Sequence, residues 1–232
     1  MIDNIVINLI VLFVLDQFLK VWPNNFLGIL YPQNLTVDEQ LVPFRGRCCF
    51  VQYMLRKPAK YGLMFWMLCD ADSRYVLSLD LYTGKKNNVI QKNLATDVAL
   101  HLADRWPNNI KQGRIITFYQ YFTDMQLSEA MLNRKITFIG FYFSGPYMLL
   151  SYQAKENKIP IILLLSLHKV SETFGGENKL PCAVHDYNQT KCRVVATDQC
   201  IGSCTVRRIN RRWPMTVFYN LIDIAAINAL TI

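Results

Sequence analysis

Two β-forming runs stand almost end to end, and no other feature limits the fold as much. Tyr61–Asp70 is a dense apolar stretch, Arg74–Tyr82 alternates β-formers with polar residues, and only Ala71–Ser73 lies between them. Runs of this kind joined by a turn-like tripeptide form a β-hairpin, with Asp70 at its bend. Val98, Leu102 and Trp106 then recur at helical spacing until Pro107 and two asparagines break the pattern, which predicts a helix of about three turns. Arg114–Phe122 reads as strand, Met125–Leu132 as helix and Lys135–Gly140 as strand, with further strands expected at Tyr147–Tyr152, Ile161–Leu167 and Ala183–Tyr187. Between Pro32 and Pro58, Pro43 and Gly46 punctuate a segment that reads as extended loop. Strands interleaved with helices imply an α/β architecture, a mixed sheet covered by helices.

A chain of 232 residues with 52% hydrophobic content can bury one substantial core. Ile5–Leu15 is apolar but lacks a basic leader and falls short of the roughly 20 residues a membrane span needs. A buried helix continuing to Trp22 is expected there, and no membrane partner. Met215–Ile232 reads as a core helix on which Asn220, Asp223 and Asn228 form a narrow polar edge. Seven irregularly spaced cysteines do not make a secreted disulfide scaffold, so a reducing, intracellular compartment is expected.

Lys and Arg exceed Asp and Glu by 25 to 17, a balance suited to an anionic partner. Arg207, Arg208, Arg211 and Arg212, beside Trp213, form the strongest basic patch, fitted for phosphate contacts with aromatic stacking nearby. The same residues also suit a solvated helix start, with Pro214 opening the C-terminal helix. Arg45, Arg47, Arg56, Lys57 and Lys60 form a second candidate patch, or a set that packs on the sheet edge. Cys182, His185, Cys192, Cys200 and Cys204 gather along the chain, but their spacing matches no compact zinc pattern. His101, His168 and His185 stand near no Ser or Cys nucleophile motif, so a hydrolytic triad gains no support.

Three stretches carry a more specific signal: Thr36-Val37-Asp38-Glu39-Gln40-Leu41, Pro43-Phe44-Arg45-Gly46-Arg47-Cys48 and Lys57-Pro58-Ala59-Lys60-Tyr61-Gly62. Together with Leu68-Cys69-Asp70, Tyr82-Thr83-Gly84-Lys85, Asp186-Tyr187-Asn188, Asp198-Gln199 and Arg211-Arg212-Trp213-Pro214, they resemble the catalytic core of piggyBac-type DNA transposases. The resemblance implies a ribonuclease-H-like mixed sheet flanked by helices, incomplete relative to the family. Residues 1–35 would form a helical lead-in and 36–232 the catalytic-core-like domain, one domain overall. It also implies a nuclear setting, DNA as partner and a homodimer. In the family three aspartates bind two divalent cations, Mg²⁺ or Mn²⁺, that cleave and transfer a DNA strand.

On that resemblance Asp70 matches the first aspartate, at the end of the first central strand. Tyr119 and Val195 stand in the places of the second and third, and Asp198 matches a further nearby acid. A neutral phenol is no substitute for a carboxylate on Mg²⁺, and valine offers no ligand. No resident cofactor is therefore expected, and no strand transfer. Asp70 is left either a weak cation ligand or a turn cap. An active metal-dependent nuclease and a domesticated protein-interaction module are the alternatives.

Overall fold

The computed structural model describes residues 32–84, 93–105, 112–118, 125–140, 148–152, 161–166, 173–174 and 180–231. The N-terminal helix expected up to Trp22 lies outside them. The segment expected to be extended loop holds instead the strand at the centre of the sheet, β1 (Asn34–Pro43). Leu35, Val37 and Leu41 alternate with Thr36, Asp38 and Gln40, which is the period of a strand. Pro43 ends the strand rather than interrupting it. β1 also begins two residues ahead of the domain start expected at 36.

The expected hairpin is present as β3 (Tyr61–Asp70) and β4 (Val76–Leu81), with the short β2 (Gln52–Tyr53) pairing the start of β3. β3 runs antiparallel to β1, from Leu35 opposite Asp70 to Pro43 opposite Gly62. A Cβ on Gly62 would overlap the Val42 carbonyl, so glycine lets the two backbones meet there. On its other side β1 runs parallel to β5 (Ile115–Phe118), which is parallel to β6 (Thr137–Gly140). β8 (Ile161–Leu165) and β7 (Met148–Tyr152) continue the sheet in antiparallel pairs, in the order β2-β3-β1-β5-β6-β8-β7, and β4 lies against β3. β9 (Thr173–Phe174) and β10 (Leu180–Pro181) form a separate two-stranded ribbon.

Parallel strands need crossovers, and helices supply them. α1 (Leu94–Asp104) and α2 (Met125–Asn133) cover one face of the sheet, where Leu35, Val37, Trp66 and Phe118 meet Leu102 and Met131. The other face is covered by α4 (Arg193–Ser203) and α5 (Trp213–Thr231), whose Val194, Ile201, Val217 and Leu221 pack on Leu63, Phe65 and Met67. α3 (Cys182–Thr190) lies where Ala183–Tyr187 was expected to be strand. Ala183, Val184, Tyr187 and Thr190 are its buried residues, a three-and-four spacing that matches a helix face rather than a strand's alternation. No described helix is long and apolar enough to cross a membrane.

The C-terminal helix forms as expected, but its polar residues face inward. Asn220, Asp223 and Asn228 are buried, while Met215, Phe218, Ile222 and Leu230 are exposed. Asn228 clamps the backbone of Val76 at the start of β4, accepting from its N–H at 2.8 Å and donating to its carbonyl at 2.9 Å. Asn228→Ala removes both of these hydrogen bonds from a buried position, so it should destabilise the fold by about 1–3 kcal/mol. Urea denaturation measures this as a lowered midpoint at unchanged slope; an unchanged midpoint would mean the clamp contributes nothing.

Candidate functional site

The polar face of β1 meets the two helices that cover it. Gln40 spans the junction: its Nε2 donates to Asp198 Oδ1 on α4 at 3.0 Å, and its Oε1 accepts from Asn220 Nδ2 on α5 at 2.9 Å. Burial pushes the Asp198 carboxyl above the usual range, against the Gln40 hydrogen bond and the charges of Lys57 and Arg207. Two residues before Gln40, on the same face of the strand, Asp38 is only 3% exposed. Its Oδ1 accepts from the Glu39 N–H at 2.8 Å. Its pKa is raised to about 8, by burial first and then by the neighbouring Glu39 carboxyl, with the Glu39 N–H and the charge of Lys57 pulling the other way.

The residues singled out in the sequence are dispersed. Asp70 ends β3, where its carboxylate accepts from the N–H groups of Asp72 and Ser73, both at 3.1 Å, and from the Ser73 hydroxyl. That is the geometry of a turn cap. Leu35, its register partner, lies five residues along β1 from Gln40, about 17 Å of strand. Carboxylates that share a cation lie within about 5 Å of each other, so Asp70 and Asp198 are not brought to one site. Val195 is 42% exposed on α4. Tyr119 lies outside the described residues.

The first central strand of the sheet is thus β1, not β3, and the acid on its buried polar face is Asp38. The sequence carries a signal for it: Asp38 sits on the polar phase of an alternating run and is of a residue type that strands avoid. Pro43 follows closely and gives the same stretch the look of a loop. Cys69, opposite Thr36, lies between the two acids, and its thiol is pushed up by burial, then by the charges of Asp38 and Asp70. Cys182, His185, Cys192, Cys200 and Cys204 do not converge, for among the described residues no three His, Cys, Asp or Glu side chains group as metal ligands.

The basic residues, by contrast, come together. Arg45 and Arg47 flank Gly46, where a Cβ would overlap both the Phe44 ring and the Arg211 carbonyl. Phe50 meets Trp213 edge to face, with ring centroids 5.0 Å apart. Pro58 and Ala59, between Lys57 and Lys60, line a 170 Å³ cleft together with Asp198, Thr205 and Arg207. The two basic segments are therefore neighbours along one surface, although Lys60 and Arg207 lie 147 positions apart. Arg45, Arg47, Lys60, Arg207, Arg208, Arg211 and Arg212 are exposed. Lys57 is different: its Nζ donates to the Glu39 carbonyl at 2.7 Å and lies 3.4 Å from the Glu39 carboxylate, so it is held within the fold.

The family described as Transposase IS4 matches residues 12–142 and 139–230. The chain belongs to that transposase family. Its fold is similar to that of piggyBac transposase in a cryo-EM structure of the synaptic complex with hairpin DNA, at 30% identity and a TM-score of 0.77. The likeness covers 87% of this chain and 47% of that one, so the chain spans less than half of that transposase's length. The mixed sheet flanked by helices agrees with the ribonuclease-H-like fold that the sequence resemblance implied.

DDE transposases use divalent metals, and the donor set around β1 does not fit that role. Val195 has no donor atom, Asp70 is engaged by its own turn, and among the described residues no three His, Cys, Asp or Glu side chains group as metal ligands, which leaves Asp38 and Asp198 along the polar face of β1 short of a two-metal set.

The buried Asp38 makes a pH-dependent contribution to stability. An unfolded aspartate titrates near about 3.9, whereas folded Asp38 titrates at about 8. Between these values the folded state holds a proton that the unfolded state has released, so this contribution is full at acid pH and declines as pH rises, by up to about 1.4 kcal/mol per unit. Asp38→Asn imitates the protonated form. It should raise Tm most near about pH 8 and flatten the decline from about pH 5 upward. Superimposable Tm profiles for the two proteins would show that Asp38 does not titrate in this way.

Proposed function

We propose that this transposase-family domain keeps a DNA-binding surface and has lost the ability to cleave and transfer a strand, with Asp38 rather than Asp70 standing in the place of the first family acid. The observation that carries the reading is the convergence of Arg45 and Arg47 with Arg207, Arg208, Arg211 and Arg212, docked through Gly46 and the Arg211 carbonyl. Cations on a surface of that kind bind phosphates and release counterions, whatever the base sequence. The transposase that this chain resembles was solved with hairpin DNA, which makes DNA the natural anionic partner. A nuclear location follows from that partner. Loss of catalysis follows from the poor donor set around Asp38.

Anisotropy of a labelled duplex, titrated with the protein from low to high salt, tests the surface. Binding should be saturable and should weaken linearly in log salt. Neutralising Arg207, Arg208, Arg211 and Arg212 together should lower the slope by about 3–4, close to 0.9 for each phosphate that no longer meets a cation. A folded sample that does not bind, or an unchanged slope in the fourfold variant, would refute the surface. A supercoiled-plasmid assay with Mg²⁺ or Mn²⁺ tests the chemistry, and no nicking above background is expected. Metal-dependent nicking that disappears in Asp38→Ala would restore the domain to the active enzymes.

A further inference from the structure

Between α4 and α5 the chain crosses the basic surface as an irregular segment, residues 204–212, and at its middle stands Ile209, 106% exposed. Isolated exposed aliphatic residues are ordinary. This one is held out by a built support. Asp223, buried on α5, accepts from the Thr205 hydroxyl and from the Val206 N–H at 2.8 Å, and the Thr205 oxygen accepts in turn from the Arg207 N–H at 3.0 Å. On the far side Asn210 donates to the Arg208 carbonyl at 3.1 Å and accepts from the Arg212 N–H at 3.0 Å. The Arg211 carbonyl rests against Gly46. Ile209 is thus fixed at the crest of a braced loop, with Arg207 and Arg208 before it and Arg211 and Arg212 after it.

We propose that Ile209 is a wedge that enters the minor groove of duplex DNA and partly unstacks a base step, while the flanking arginines hold the phosphates on either side. The proposal rests on the DNA-binding reading and specifies how that surface engages its ligand. Apolar side chains inserted between bases, accompanied by cations along the groove, are a general means of kinking a duplex. Charge decides the occupant: an apolar crest between two arginine pairs, on a chain of net charge +8, suits a polyanion with an apolar interior better than a neutral protein surface. Steps that deform easily, such as TA and CA/TG, would be favoured without any base-specific hydrogen bond.

The test uses the full chain and duplexes carrying 2-aminopurine beside a TA step, with binding followed in parallel by anisotropy. Bound protein should raise the 2-aminopurine fluorescence, Ile209→Ala should remove most of that rise while keeping the salt slope, and Ile209→Leu should restore it. Because Ile209 is fully exposed, Ile209→Ala should fold with an unchanged Tm. Salt-dependent binding with no fluorescence rise, or with an equal rise in Ile209→Ala, would overturn the wedge and leave the DNA-binding surface standing. Absence of binding at any salt would overturn both.

Discussion

The fold depends on one strand pairing in two directions. β1 is antiparallel to β3 along its whole length and parallel to β5 over its first residues. It therefore joins a hairpin made of local contacts to a set of strands that meet only after helical crossovers. Both faces of β1 are buried, which would normally call for an apolar strand throughout. Here one face is apolar and the other carries Thr36, Asp38 and Gln40. Each of these polar groups costs free energy on burial unless it is paired. Much of how α4 and α5 are seated can be understood as the pairing of that one face.

Gln40 shows how the pairing works. One amide group donates to α4 and accepts from α5, so its two ends are bound to two different helices and the bonding orients the amide. Packing of Val194, Ile201, Val217 and Leu221 supplies the hydrophobic stabilisation of this layer, on the order of 1.5–3 kcal/mol for each large side chain fully buried. Apolar contacts tolerate sliding and rotation; hydrogen bonds to fixed partners do not. The arginine segment inherits its position from the same layer, because Asp223 of α5 braces its first residues and Gly46 receives its last.

Much of this could be read in the amino-acid sequence, and the reasons for the misses are physical. The hairpin Tyr61–Leu81, α1, α2 and α5 carry strong local patterns, and they form where those patterns put them. β1 was hidden because its alternation sets polar against apolar residues although both faces are buried, and because Pro43 and Gly46 follow closely. The α3 segment reads as strand because Val184 and Tyr187 favour strands on propensity alone, and tertiary packing overrides that preference. The acids were harder still. Sequence resemblance marks a carboxylate but not the direction of its side chain, and only strand register shows that Asp70 turns back onto its own bend while Asp38 lies among the packed layers. The adjacency of the two basic segments, by contrast, had no local signal; it follows from Gly46 meeting a carbonyl far along the chain.

α5 carries large apolar residues on both sides: Trp213, Val217, Leu221 and Ile224 are buried beside Asn220, Asp223 and Asn228, while Met215, Phe218, Ile222 and Leu230 are exposed. With apolar residues on both sides, hydrophobic sorting alone sets the rotation of such a helix only loosely. This one is keyed like a bolt in a lock: Asn220, Asp223 and Asn228 engage the central strand, the arginine segment and the second hairpin strand, each at its own level along the axis. Rotation or sliding by a single residue would disengage all three together. The helix therefore has one setting rather than a range of near-equivalent ones, and the three parts of the protein it touches share a common mechanical reference.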